Sequence, residues 1–392
     1  MLIFIFPIVI NSMQVAGDIV LLILAMMGIY VAISQKLSPF VIKEIKVFSY
    51  LGVGYFAAVC LSVLFSGQAA ELAHYIPRDF YFLFAPFIAL ALFKAEININ
   101  YLIVGAKVAL LVLGIISLQQ WFGQGGRASG VMNAGVFGNL TVSLFFIVLA
   151  SSHHESLKQN LFTLLSLSFG LAAIIGSGTR GAWLSFVLLL VAYLYFFYKQ
   201  KAKLNSKLKI IIVLFIILIS IGGFNQNFQD RTNLAYLEIS NWVSGDKDVN
   251  SSTSMRLNMY KKAIDNIEDV PFFGYGLRTS NMVLFKNDSS QAGVKSSRFN
   301  HLHNAFLTNY YNGGIVLLGA LLLLLFVPLR IFLNANNQNY EEPVFISGAL
   351  LIIGYVTYGM VNILLGDTYM NGFYVFFLAI FLLLTNKSIK AP

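Results

Sequence analysis

This chain has one cysteine and few charges, and each shortage excludes a class of chemistry. Cys60 stands alone within an apolar stretch, so neither an intrachain disulfide nor a cysteine-based metal cluster is available. Charged residues make up 11% of the chain against 58% hydrophobic ones, which confines polar chemistry to few places. No basic helix with interleaved aromatics occurs, so nucleic acid is not an expected partner, although the formal net charge is +9. There is no repeat of fixed period and no low-complexity linker. The N-terminus lacks a basic n-region and a small-residue cleavage site, and reads as a first span rather than a signal peptide.

What is present is a succession of apolar runs, with a mean hydropathy of +0.75. Runs of roughly 18 residues or more mark membrane helices. The expected spans are Leu2–Ser12 (short), Val15–Ile33, Val47–Phe65, Phe80–Phe93, Tyr101–Leu118, Val131–Ala150, Leu161–Ile175, Ala182–Tyr198, Ile210–Phe224, Ala305–Ile331, Val344–Leu365 and Phe373–Leu384. An open sheet cannot satisfy its backbone in lipid, so the fold class is all-α: a polytopic membrane helix bundle of about 12 transmembrane helices, or 11 without the first. Lys36, Lys43, Lys46, Lys158 and the run from Lys199 to Lys209 fall on one side of such a bundle, with Arg330, Lys387 and Lys390. Positive residues gather on the cytoplasmic side, which puts both termini inside. The organisation is then nine spans over 1–224, an outward loop over 225–304 and three spans over 305–392.

The loop is where function is expected. It is nearly balanced, with nine basic and eight acidic residues. An amphipathic helix is expected near 253–268, from candidate caps at Ser251-Ser252-Thr253-Ser254 to the Asp269-Val270-Pro271 stop. Its apolar stripe is Tyr260, Ala263, Ile264 and Ile267, with Arg256 on the same stripe. A guanidinium there needs a partner. Two readings stand: an ion pair or snorkelling at the membrane surface, or a cavity that receives an anionic ligand. Pro271-Phe272-Phe273-Gly274-Tyr275-Gly276 is a turn-rich aromatic stretch, either packed over a membrane-surface groove or part of the loop core.

His301 and His303 admit three readings. They are metal ligands, with no third ligand nearby to complete a site; surface residues; or a general base, since neutral imidazole suits proton transfer from a sugar hydroxyl near pH 7. His153-His154 lies in a cytoplasmic loop and reads as solvated. Arg180, in Gly176-Ser177-Gly178-Thr179-Arg180-Gly181-Ala182-Trp183, sits at the outer interface of a minimal hairpin, where ionisable groups are costly. Arg127, in Gly125-Gly126-Arg127-Ala128-Ser129-Gly130, and Arg78, beside Asp79, reach the same side. Converging arginines suit a lipid-linked diphosphate, since guanidinium binds phosphate through two donors. The alternative is a rim of contacts to membrane lipid headgroups.

Three patterns occur in order around this loop. Ser177-Gly178-Thr179-Arg180-Gly181-Ala182-Trp183 opens a span. Ser254-Met255-Arg256-Leu257 leads through Val270-Pro271-Phe272-Phe273-Gly274-Tyr275-Gly276. His301-Leu302-His303-Asn304 precedes Gly313-Gly314-Ile315. The ordered set resembles the O-antigen ligase family, within the wider ligase and O-antigen polymerase superfamily, and by residue covers mainly Gly176 to Ile315. The resemblance implies a metal-independent, cofactor-free, inverting glycosyltransferase of the bacterial inner membrane, with its site facing the periplasm. Its implied partners are an undecaprenyl-diphosphate-linked glycan donor and a lipid A–core acceptor. By the match His303 is the catalytic histidine, Arg180 and Arg256 the diphosphate-associated arginines, and Arg127 a weaker match; Arg78 joins them on position. His301 is the extra histidine of some ligases, and with Asn304 it is expected to bind or orient substrate. An O-antigen polymerase or a protein O-oligosaccharyltransferase would use the same donor, and a lipid-linked sugar transporter is the reading of a different class. A transporter calls for repeats and midplane polar groups, and the sequence offers neither.

Overall fold

The computed structural model describes residues 1–199 except 14, 96, 124–125 and 152–156; residues 229–230, 233–234, 236–238, 240 and 244; and residues 252–388 except 289–290, 336–341 and 363. The expected span at 210–224 and the pair His153-His154 lie outside the described residues. Every regular element among the described residues is helical.

Among the described residues, eight helices are long and apolar enough to cross a membrane: Ala16–Ser34, Ile45–Phe65, Ile76–Lys94, Ile99–Trp121, Lys158–Gly176, Arg180–Lys199, Ala305–Ala335 and Thr368–Thr385. Three shorter apolar helices, Leu2–Ser12, Ala134–Ala150 and Val344–Gly359, stand beside them. In lipid there is no water to expel between helices, so close packing holds such a bundle together. Where the Ala16–Ser34 helix meets the Phe80–Lys94 helix, Gly28 permits backbone-to-backbone approach; a Cβ there would fall 1.9 Å from the Phe87 carbonyl oxygen. Ala134–Ala150 is buried at every residue from Val136 onward and packs against Ile99–Leu118, Leu157–Gly176, Arg180–Lys199 and Glu342–Gly359. A helix apolar on all sides is a central helix. Thr368–Ser388 is the second central element, packed against helices from both halves of the chain.

Three elements depart from the sequence expectation. The span expected to run unbroken from Ala305 to Ile331 is a 305–335 helix interrupted at Gly313 (φ −132°, ψ 17°) and Gly314 (φ 62°, ψ −158°). The carbonyls released by the break do not go unpaired. The Tyr275 and Gly276 amides donate to Tyr311 O (2.8 Å) and Asn312 O (2.9 Å), and Ser62 Oγ donates to Asn312 O at 2.6 Å. The aromatic Pro271–Gly276 stretch therefore fills a helix break. Inside a membrane, non-helical backbone persists only where such partners exist. Second, the helix after Glu342 ends at Gly359 rather than near Leu365, and Asp367 caps the next one by accepting from the Tyr369 and Met370 amides at 3.0 and 3.2 Å. Third, the loop helix spans Ser252–Asp265, followed by a 3-10 turn at Ile267–Asp269. Its buried line is Met259 and Ala263, both fully buried, while Ile264 is 57% exposed. Because the helix ends before Ile267, that residue cannot extend the stripe as expected.

Candidate functional site at one end of the bundle

The Leu157–Gly176 and Arg180–Lys199 helices are joined by Ser177, Gly178 and Thr179. This hairpin is fixed from several directions. Arg127 Nε donates to Ser177 O at 2.9 Å and its Nη2 to Thr179 Oγ1 at 2.7 Å. Thr179 Oγ1 donates in turn to Ala134 O (2.9 Å), and Trp183 Nε1 to Ile174 O (3.1 Å). Arg127 thus braces the turn that presents Arg180. Arg180 is the first residue of its helix, where the backbone dipole disfavours a cation and favours an anion. The anion supplied is Glu238, whose Oε2 lies 2.8 Å from Arg180 Nη1 and also accepts a hydrogen bond from Thr253 Oγ1.

Arg256 comes from the Ser252–Asp265 helix and is half-buried. Burial, and then the charge of Arg180, make its protonated form less favourable, while Tyr260 and Glu238 act the other way. Two guanidinium groups from distant parts of the chain are thus within electrostatic reach of each other, around one carboxylate that is 8% exposed.

The histidine pair joins the same polar group. Leu302 is fully buried and anchors the segment, with its amide donating to Thr308 Oγ1 at 3.1 Å. Asn281 Nδ2 donates to His301 O (2.9 Å), and Tyr260 Oη donates to His303 O (2.7 Å). Asn304 Oδ1 caps the following helix through the Phe306 and Leu307 amides, both at 3.0 Å, and its Nδ2 reaches Met360 O at 3.4 Å. Asn304 therefore acts on the backbone of the site. His303 has φ 53°, a left-handed conformation that costs a non-glycine residue about 1–2 kcal/mol. The two imidazole centroids are 4.3 Å apart. Burial, then His301 and Arg256, lower the His303 pKa to about 3; burial and Arg256 lower that of His301 to about 4. Both rings are neutral at pH 7, and His303 Nδ1 is buried without a hydrogen-bond partner.

The structure thus brings together Arg180, Arg256, His301 and His303, with Arg127 and Asn304 as braces. Arg78 lines a cavity with Asp79, Arg278 and His301, and neither Arg180 nor Arg256 is among the residues of its wall. Among the described residues, no group of three His, Cys, Asp or Glu side chains is placed to hold a metal ion. Sequence reasoning missed Glu238 and Arg278. The bracing hydroxyl of Tyr260 was legible only as part of an apolar stripe.

Residues 163–322 match a protein-family model described as O-Antigen ligase. Among curated proteins, an uncharacterized protein of Haemophilus influenzae is 25% identical over 350 residues, covering 86% of this chain and 86% of its own length.

Proposed function

We propose, from the match of residues 163–322 to the O-antigen ligase family model, that the chain is a multi-pass membrane glycosyltransferase taking its glycan from a lipid diphosphate. The reading in full is that of an O-antigen ligase of the bacterial inner membrane, with its site on the periplasmic side. It moves O-polysaccharide from undecaprenyl diphosphate to a sugar hydroxyl of lipid A–core. The observation that carries this reading is the pairing of Arg180 and Arg256 beside two neutral imidazoles. Two like charges in a half-buried place are unfavourable alone and favourable around an anion. Glu238 fills that role in the absence of donor, and a diphosphate, carrying more charge, displaces it.

In the reaction the acceptor oxygen attacks the anomeric carbon as the bond from that carbon to the phosphate oxygen breaks. The electron pair leaves with the lipid diphosphate, and the configuration inverts. Arg180 and Arg256 stabilise the charge that develops on the departing oxygen; losing one such donor typically costs about 100- to 1,000-fold in rate. His303 orients the acceptor hydroxyl and takes its proton. In the free protein its pKa of about 3 makes it a weak base. A bound diphosphate offsets the charge of Arg256, the smallest of the three causes, and so shifts that value upward while burial still holds it low, which couples base strength to donor occupancy. Reconstitution with lipid-linked glycan and lipid A–core tests the assignment. His303→Ala should stay monodisperse, bind the glycan donor and fail to transfer; full transfer would refute the role, and transfer onto another lipid-linked glycan would make the protein a polymerase.

A further inference from the structure

A cavity with charged and apolar walls reaches the histidine pair through His301, and neither Arg180 nor Arg256 lines it. It measures about 100 Å³, and its wall includes Arg78, Asp79, Arg278, His301 and Asn312. Three features set it apart from a packing void. Its charged groups are two guanidiniums against one carboxylate, since His301 is neutral, and both guanidiniums act electrostatically on the buried Asp79. The guanidiniums outnumber the carboxyl groups on this wall.

Asn312 supplies the second feature. It is 8% exposed, and its Oδ1 is buried with no hydrogen-bond partner. A buried carbonyl oxygen requires a donor, which a carboxylate lacks and a sugar hydroxyl has. Third, Arg278 is one of four non-glycine residues with positive φ among the described residues, at 62°. Its neighbour Leu277 is clamped by Gln68, which accepts from the Leu277 amide at 2.9 Å and donates to its carbonyl at 3.2 Å. Strained backbone held in place by surrounding contacts tends to occur at ligand clamps.

We propose that this cavity binds an acidic sugar unit of the acceptor. Its carboxylate or phosphate lies between Arg78 and Arg278, a hydroxyl donates to Asn312 Oδ1, and the ring sits beside His301, one imidazole away from His303. The proposal rests on the transferase reading for the word acceptor, and on the cavity alone for the ligand class. The histidine pair then divides two anion sites, one for the lipid diphosphate and one for the acceptor.

Binding separates the two assignments. The full-length protein in detergent is titrated with glucose 6-phosphate, glucuronate and glucose by saturation-transfer NMR, and with farnesyl diphosphate as a lipid-diphosphate probe. The wild type is expected to bind at least one acidic sugar at least tenfold tighter than glucose, and which acid wins tells phosphate from carboxylate. Arg278→Gln and Arg278→Gly should each weaken that binding tenfold or more while changing farnesyl diphosphate affinity less than twofold. Glycine suits the backbone at 278, so with an unchanged melting temperature misfolding does not account for the loss. Equal binding of acidic and neutral sugars overturns the proposal, as does unchanged acidic-sugar binding in the Arg278 variants. If those variants weaken farnesyl diphosphate instead, the cavity belongs to the glycan donor. Should Arg180→Gln leave farnesyl diphosphate binding intact, the donor assignment fails and the acceptor cavity stands.

Discussion

Tyr260→Phe isolates one hydroxyl that lies between the arginine side of the site and the histidines. Tyr260 stands one helical turn from Arg256, and its Oη donates to His303 O at 2.7 Å. A hydrogen bond of this kind contributes about 1 kcal/mol net. The left-handed backbone at His303 (φ 53°) costs about the same. Removing the hydroxyl tips that local balance by about 1 kcal/mol, which is roughly a fivefold change in the equilibrium constant for holding the imidazole in place. Phenylalanine keeps the ring packed, and Leu302, Asn281 and Asn304 still hold the flanking residues. The expected result, in purified protein supplied with lipid-linked glycan and lipid A–core, is a kcat lower by about fivefold, with the donor KM within twofold and only a small fall in melting temperature. A purely structural role would lower stability without that kinetic split. An unchanged kcat, or a loss found entirely in donor KM, would show that the His303 backbone does not limit transfer.

Acid conditions test the coupling between diphosphate and imidazole. His303 near pKa 3 in the free protein should rise when a diphosphate offsets Arg256, so the acid limb of kcat, which reports the bound state, should lie at higher pH than that of kcat/KM. Activity is lost as pH falls through each limb, because the neutral ring is the active form, and coincident limbs would dismiss the coupling. The helix break gives a second prediction through stability. Gly314→Ala puts a Cβ 1.9 Å from Phe272 O in a backbone region that costs other residues about 1–3 kcal/mol, so the Pro271–Gly276 stretch should detach and the melting temperature drop by several degrees. Gly319→Ala, whose added Cβ meets nothing within 4 Å, is the matched control and should hold or gain stability.

The helices were legible because a membrane span needs only a long apolar run, a local property. The association of Arg180 and Arg256 with the histidines was legible in part, since cations beside a membrane face have few tolerable roles. What escaped depends on distance. Glu238 is one of eight acidic residues in the loop, and no local pattern marks it as the one that reaches Arg180 58 positions earlier. Arg278 gains meaning only when Tyr55, Asp79, His301 and Asn312 close around one space. Gly313-Gly314 was visible as a motif. Its consequence was not, because a double glycine in an apolar run breaks a helix only if outside donors take up the released carbonyls. Arg127 shows the converse: grouped by type with the other cations, it uses its guanidinium to brace the 177–179 turn that presents Arg180.

The anchors of the loop share one physical origin. A helix leaves its last carbonyls and first amides without intrahelical partners, and in a lipid-facing bundle these are among the few strong polar groups at the membrane end. The loop attaches to them. Tyr260 and Asn304 both reach Met360 O, just past the end of the Glu342–Gly359 helix. The amides of Tyr275 and Gly276 take the carbonyls freed at 311–312. Because the acceptors are backbone groups of packed helices, the segments carrying Arg256, Arg278 and the histidines inherit the rigidity of the bundle without needing a large core of their own. A chain with 11% charged residues can then hold several of them near one another, since main-chain oxygen atoms do much of the positioning.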